Sequence, residues 1–244
     1  MRVPRIYQPE ALETGKKFLL TATTANHLVR VLRLPIGASV KIFNGAGGEF
    51  TAKIIAIRKA EVTVEVENYL PGITESPLKI CLGQGISRGE RMDFVIQKTV
   101  ELGVTHIVPL ITKYCEVKLS DERWEKRLQH WQAVAIAACE QSGRNKLPTI
   151  EKPCNLSDWL NQATSELKLV LDPTAQKKLS DIPTPSVASV DLLLGPEGGL
   201  DEVEIALATH QGFAALSLGA RVLRTETAAM AAVTAMQCRY GDMF

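Results

Sequence analysis

The chain has 244 residues, 45% of them hydrophobic and 23% charged, with 17 glycines and 12 prolines. This excludes collagen-like, low-complexity and largely disordered chains, and the length suits one large domain or two small ones with a core that needs no disulfide or metal. The net charge of +1 argues against a polybasic nucleic-acid coat, yet residues 1–70 carry ten Lys and Arg against six acids, +4, and the remainder sums to −3.

Residues 1–70 read mostly as strand. Val40–Phe43, Phe50–Ile57 and Val62–Val66 are rich in β-branched residues with partial period-two alternation, and Asn44-Gly45 and Gly47-Gly48 punctuate them as turns. A short helix over Ala25–Leu32 interrupts them, with Thr23 or Thr24 as its N-cap and Pro35 beyond its end. Short strands at this spacing predict a small β-barrel. Residues 71–77, rich in Pro, Gly, Ser and Thr, read as a linker to a second domain over 78–244.

Beyond Pro77 strands alternate with helices. Leu78–Leu82 is an apolar run, and residues 88–102 carry a helical stripe at Met92, Val95, Ile96 and Thr99, closed by Gly103. Val104–Ile111 is the next strand. Residues 122–142 form a long helix whose second half, Val134–Ala138, is apolar all round and is expected to be buried. Leu167–Leu171 and Val190–Leu194 are strands, Asp201-x-x-Glu204 is a capping box opening a helix to about His210, Phe213–Leu218 is a strand, and Thr225–Tyr240 is the last helix. Near-continuous apolar strands alternating with helices predict a parallel sheet covered on both faces.

Five widely separated cysteines contain no CxxC pair, and the four histidines lack zinc-ligand spacing, so neither a disulfide framework nor a metal is expected. Residues 1–7 lack the apolar core of a signal peptide, and the longest uncharged apolar stretch, Thr227–Cys238, is too short to span a membrane, so a soluble cytoplasmic protein is expected.

In open parallel sheets, ligands bind beyond the carboxyl ends of strands. Three loops stand there. Gly83–Gly89 approximates a dinucleotide fingerprint, but Arg88 occupies the third glycine position and no ribose-binding acid follows. Leu194–Leu200, Leu-Gly-Pro-Glu-Gly-Gly-Leu, is either a tight strand–helix turn or a backbone cradle for a ligand; without a Gly-Lys-Ser/Thr it is no P-loop. Leu218–Thr227 carries Arg224 and Glu226 around Thr225. One reading makes Thr225 an N-cap and Glu226 a dipole-complementing acid; the other joins this loop to the previous one as a nucleoside-sized cleft.

These segments, taken with Arg2–Arg5, Asn26–Arg33, Ser87–Glu90, Gln97–Gly103, Ala137–Arg144 and Val222–Ala228, run end to end in the order of a known family. The chain resembles the SPOUT class of S-adenosylmethionine-dependent RNA methyltransferases and, more narrowly, the ribosomal RNA small-subunit methyltransferase E family. The most specific segments are Leu194–Leu200 and the Leu-Arg-Thr-Glu-Thr-Ala of Leu223–Ala228.

The resemblance implies an α/β architecture with an N-terminal PUA-like β-barrel that binds RNA and a C-terminal trefoil-knotted parallel-sheet domain. It implies homodimers pairing through the knotted domain, for which the small-residue helix from Thr227 to Cys238 is suited. It further implies S-adenosylmethionine held by Leu171, Leu194, Gly195, Glu197, Gly198, Gly199, Leu218, Gly219, Leu223, Arg224 and Thr225. The reaction implied is methylation of uridine N3 in 16S rRNA of the small ribosomal subunit. Arg224 is the candidate to stabilise charge on the base, Glu226 or Glu197 to accept the N3 proton, and Arg2, Arg5, Arg30, Arg33 and Arg88 to bind RNA. Two alternatives stand beside it. One is ribose 2′-O methylation, disfavoured because Leu223–Glu226 lacks the Ser-Leu-Asn of such enzymes; the other is a non-catalytic RNA-binding assembly factor.

Overall fold

The computed structural model describes the chain except for Met1, Arg2, Ala60, Ile73, Lys118, residues 183–185 and Phe244. The chain divides into two units: Met1–Glu75 with Cys139–Leu147, and Ser76–Ala138 with Pro148–Phe244. The boundary thus falls at Glu75/Ser76, inside the stretch read as a linker, and the first unit also takes a segment from far along the sequence.

In the first unit, β1 (Arg5–Tyr7), β2 (Lys17–Leu19), β3 (Ser39–Phe43), β4 (Glu49–Arg58) and β5 (Glu61–Leu70) form one sheet in the order β1-β3-β4-β5-β2. Only the β1–β3 pair is parallel. The expected small barrel is, among the described residues, a mixed sheet whose ladder ends at β1 and β2; these three-residue strands carried no periodic signal in the sequence. Along β5 the alternation is clear: Val62, Val64 and Val66 are buried while Glu61, Thr63 and Glu65 are not, as a pleat with one covered face requires. Ala25 and Leu28 cover that face against Val40, Ile42, Ile54 and Val64.

The covering helix departs from expectation at its start. α1 (Ala22–Asn26) is capped by Thr21, whose side chain accepts from the Thr24 amide, and not by Thr23 or Thr24. It widens into a π-turn over His27–Val31, closed by the Leu32 amide donating to the His27 carbonyl at 3.0 Å. Arg33 then adopts φ +54 and the Leu34 amide returns to the Leu28 carbonyl, ending the helix before Pro35.

The second unit holds β6 (Lys79–Gly85), α2 (Glu90–Glu101), β7 (His106–Ile111), α3 (Asp121–Ser142), β8 (Thr149–Ile150), β9 (Cys154–Asn155), α4 (Leu156–Gln162), β10 (Leu167–Leu171), β11 (Ser189–Leu194), α5 (Glu202–His210), β12 (Ala214–Leu216) and α6 (Thr225–Tyr240). The last turn of α3 belongs to the first unit. The sheet order is β12-β10-β11-β6-β7-β8, with β9 also on β7, and every pairing is parallel. Trp159 and Phe213, with ring centroids 5.5 Å apart, pack with Val170, Leu193 and Leu110 in its core.

Met92, Val95, Ile96 and Thr99 are buried on α2, as the stripe predicts, and the Asp201–Glu204 capping box forms in both directions, at 2.8 and 3.0 Å. Gly83 and Gly85 lie within β6, and a Cβ at either would sit 2.6 Å from Trp159 or 2.4 Å from Pro196. That pair is therefore a packing requirement, not a dinucleotide loop. The second half of α3 differs from expectation: Trp131, Ala135, Ala138 and Cys139 are buried, but Ala133 and Ala137 are exposed, so only one face is covered. The methyls of alanine tolerate water, so apolar composition alone did not define a buried face.

Candidate functional site

Neighbouring strands β11, β10 and β12 run parallel, so their carboxyl ends open side by side. The three loops leaving them enclose a cavity of about 620 Å³, within the range of small-molecule and cofactor sites. Leu171–Thr174 supply one wall, Leu194–Leu200 the second and Leu218–Glu226 most of the third.

The glycines of the second wall are there for space. A Cβ on Gly195 would lie 2.5 Å from the Gly199 carbonyl carbon, so the loop folds back on itself only with glycine at 195. Gly199 takes φ +74 and donates its amide to the Pro196 carbonyl at 2.9 Å, which completes the turn before the α5 cap at Asp201.

Every residue that the sequence reading assigned to the cofactor lines this cavity, from Leu171 through Thr225. So do the three catalytic candidates Arg224, Glu226 and Glu197. Thr225, however, does not cap α6; Arg224 is the N-cap residue, and the Thr225 hydroxyl donates to the Gly195 carbonyl at 2.7 Å, fastening the third wall to the second.

The two carboxylates differ. Glu197 accepts from the Arg91 guanidinium at 2.8 Å and from the Arg88 amide at 3.0 Å. Partial burial works to raise its pKa, but hydrogen bonds from its own amide, from Arg91 and from the Arg88 amide outweigh this and leave it below the usual carboxylate range. Glu226 is less committed: its Oε2 is buried and makes no hydrogen bond.

Reasoning from the sequence missed Arg91, Arg221, Asp172 and Thr174, which also line the cavity. Asp172 and Thr174 form an Asx turn, with Asp172 Oδ1 accepting from the Thr174 amide at 2.8 Å and its hydroxyl at 2.7 Å; the x-Asp-Pro-x spacing after a strand was a usable turn signal. Arg91 had none, because in the first turn of a helix it looks like any solvated arginine.

The arginines expected to bind RNA are not one set. Arg30 and Arg33 are exposed on the first unit, beside exposed Val31 and Ile36. Arg88 is exposed on the second unit and ion-paired to Glu116. Arg2 lies outside the described residues. Arg5 requires a correction: its side chain is 7% exposed, and it binds Glu49 at 2.8 Å, the Cys139 carbonyl at 2.7 Å, the Glu140 and Arg144 carbonyls and Asn145. A guanidinium with its donors so engaged is internal structure rather than an RNA contact.

Comparison with known proteins agrees with this arrangement. A model of the RNA methyltransferase domain matches residues 74–237, and one of the RNA methyltransferase PUA domain matches residues 20–67. The ribosomal RNA small subunit methyltransferase E of Buchnera aphidicola (subspecies Schizaphis graminum) is 36% identical over 99% of this chain and 98% of its own. A Legionella pneumophila protein solved in complex with the bound cofactor SAM is 44% identical with a TM-score of 0.96, covering all of both chains. A ribosomal RNA small subunit methyltransferase E from Neisseria gonorrhoeae bound to S-adenosyl methionine is 41% identical with a TM-score of 0.92, again over the whole of both. Fold, cavity and full-length similarity agree, and the chain belongs to the ribosomal RNA small subunit methyltransferase E family.

Proposed function

We propose that this protein methylates N3 of a uridine in 16S rRNA of the small ribosomal subunit, using S-adenosylmethionine bound in the cavity of the second unit. The observation that carries this reading is one cavity, at three adjacent strand ends, that brings together every residue assigned to the cofactor and all three catalytic candidates.

The lining suits that cofactor. Leu171, Leu194, Leu218 and Leu223 offer apolar surface for an adenine ring, and the glycine-rich turns expose backbone at close range. Glu197, Glu226 and Asp172 supply negative charge for a cationic ligand. When bound, the cofactor supplies a methyl group activated by its sulfonium.

The chain's own residues have the remaining work. Uridine N3 must lose its proton, and the negative charge then spreads to O2 and O4. Arg224 donates to one of those oxygens and stabilises that charge. Glu226, which lines the cavity and has one oxygen without a hydrogen-bond partner, accepts the proton. Glu197 fits this task less well, because its charge already holds Arg91 and the Arg88 amide in place. The strand order, with β10 and β11 standing between β12 and β6, is the feature that supports a trefoil-knotted chain path; pairing of two copies through that domain is what the family resemblance implies. Activity on ribosomal RNA supports a cytoplasmic location. Among the described residues no helix is long and apolar enough to cross a membrane.

Two measurements bear on the alternatives. S-adenosylmethionine at about 100 times its Kd is expected to stabilise the folded chain by about 2.7 kcal/mol, read as a rise in Tm without RNA. No rise would favour the non-catalytic assembly factor. Small-subunit RNA from a strain lacking this protein is then methylated in vitro and the product mapped; a methyl on ribose O2′ would overturn the N3 assignment.

Arg30 and Arg33 carry the RNA role of the first unit. Because Cys139–Leu147 belongs to that unit too, point substitutions test it better than removal of residues 1–70. Arg30→Glu with Arg33→Glu is expected to weaken RNA binding and make the slope of log K against log salt shallower by about one for each phosphate no longer neutralised. Cofactor affinity stays unchanged. An unaltered salt slope would remove both residues from the interface.

A further inference from the structure

We propose that Gln84 is a positioning residue that sets the spacing of the two loops walling the cavity, and so tunes affinity for the cofactor without touching it. This rests on the reading of the cavity as the cofactor site. Gln84 is fully buried at the carboxyl end of β6, paired in register with Leu194 of β11. Its Nε2 lies 3.0 Å from the Gly85 carbonyl, 3.2 Å from the Gly195 carbonyl and 3.0 Å from Thr225 Oγ1.

The direction of these bonds follows from chemistry. Both glycine carbonyls can only accept, so the amide nitrogen must face them. The Thr225 hydroxyl uses its proton on the Gly195 carbonyl, at 2.7 Å, so its oxygen accepts from Gln84. Gln84, Thr225 and Gly195 therefore close a triangle of hydrogen bonds. Two of its corners line the cavity, one on each wall, and Gln84 stands behind them. The triangle joins positions 111 and 141 residues from Gln84. It has little room to shift, since Gly85 abuts Pro196 closely enough that a Cβ would fall 2.4 Å from Pro196 Cδ.

The two closest replacements by shape do not meet these requirements. Methionine matches the length but donates nothing. Glutamate turns a carboxylate toward two carbonyl oxygens, which repels the Gly195 wall. Serine at 225 preserves the hydroxyl corner, whereas valine removes it at constant shape.

The test uses the full chain with Gln84→Met, Thr225→Val, Thr225→Ser and the double variant Gln84→Met/Thr225→Val. In each folded variant, S-adenosylmethionine Kd is measured by calorimetry, KM for cofactor and RNA separately, and amide exchange of residues 194–200 without ligand. Gln84→Met and Thr225→Val are each expected to raise cofactor Kd and KM about tenfold, leave RNA KM unchanged and speed exchange of the 194–200 amides. Thr225→Ser, which keeps the hydroxyl corner of the triangle, should keep the slow exchange of the 194–200 amides. The double variant should be no more than about twofold worse than either single one, because the same triangle is broken once. Wild-type cofactor affinity with wild-type exchange in folded Gln84→Met, or multiplying losses in the double variant, would overturn the proposal. If Gln84→Met does not fold, ligand-free amide exchange of residues 194–200 in Thr225→Val against Thr225→Ser decides it, faster exchange in Val alone supporting the triangle and equal exchange overturning it. Should the wild-type chain bind no S-adenosylmethionine, the cofactor reading fails, while the exchange data still decide whether Gln84 holds the loops.

Discussion

Arg224→Ala is expected to lower methyl transfer by about a hundred- to a thousandfold while cofactor Kd changes by less than about threefold. Arg224 occupies the N-cap of α6, its carbonyl accepts from the Ala228 amide at 2.8 Å, and its side chain is exposed at the cavity. The backbone role survives truncation to alanine, so the fold and the cavity walls remain. What is removed is a fixed positive charge where negative charge develops on the uracil oxygens, and such charges act mainly on kcat. The check is single-turnover methylation of unmodified small-subunit RNA beside calorimetry with S-adenosylmethionine. Unchanged turnover would discard the assignment, and equal losses in affinity and turnover would confine the Arg224 side chain to holding the cofactor.

Arg5→Met is expected to destabilise the first unit by about 3–5 kcal/mol, the cost of leaving a buried ionic partner and hydrogen-bond acceptors without their cation. Arg5 accounts for much that composition could not. The carbonyls of Cys139 and Glu140 lie in the last turn of α3, and Arg5 donates to both, the Cys139 carbonyl accepting from the Gly143 amide at 3.1 Å as well. Its Nε binds Glu49, which also pairs with Lys41. Burial pushes the Glu49 carboxyl upward, but hydrogen bonds from Lys41 and Arg5 prevail, so its pKa lies below the ordinary 4.5. A carboxylate depressed in the folded state contributes stability that is present above its unfolded pKa and lost as pH falls through the folded value. Wild-type stability should therefore fall as the pH drops below about 4.5, and Arg5→Met should show a shallower acid loss from a lower plateau. Urea unfolding at about pH 7 and about pH 3.5 reads both. An Arg5→Met chain as stable as wild type at neutral pH would return Arg5 to the surface role that its position in a basic segment suggests.

Glu49 and Arg5 also show where sequence reading stops. Both count toward the charge of residues 1–70, yet they neutralise each other in the interior. The +4 remains arithmetically true, but the outward cations include Arg30 and Arg33 at the end of the π-turn and not Arg5. Likewise Thr225 satisfies the local rule for an N-cap and is used otherwise: it is the first residue of α6, after the N-cap Arg224, and its hydroxyl donates to a carbonyl 30 residues earlier in sequence. The short elements β1, β2, β8 and β9 escaped because two or three residues define no period.

What the amino-acid order determined by itself was everything with a local cause: the alternating valines of β5, the stripe of α2, the capping box before α5 and the turns that only glycine permits. Its two most specific loops form two of the three cavity walls. Tertiary structure alone decided which polar groups meet: Arg5 with the end of α3, Arg91 with Glu197, Gln84 with Gly195 and Thr225. Local spacing constrains dihedral angles and faces, whereas a buried donor finds its acceptor only when strands distant in sequence are brought to adjacent positions in one sheet.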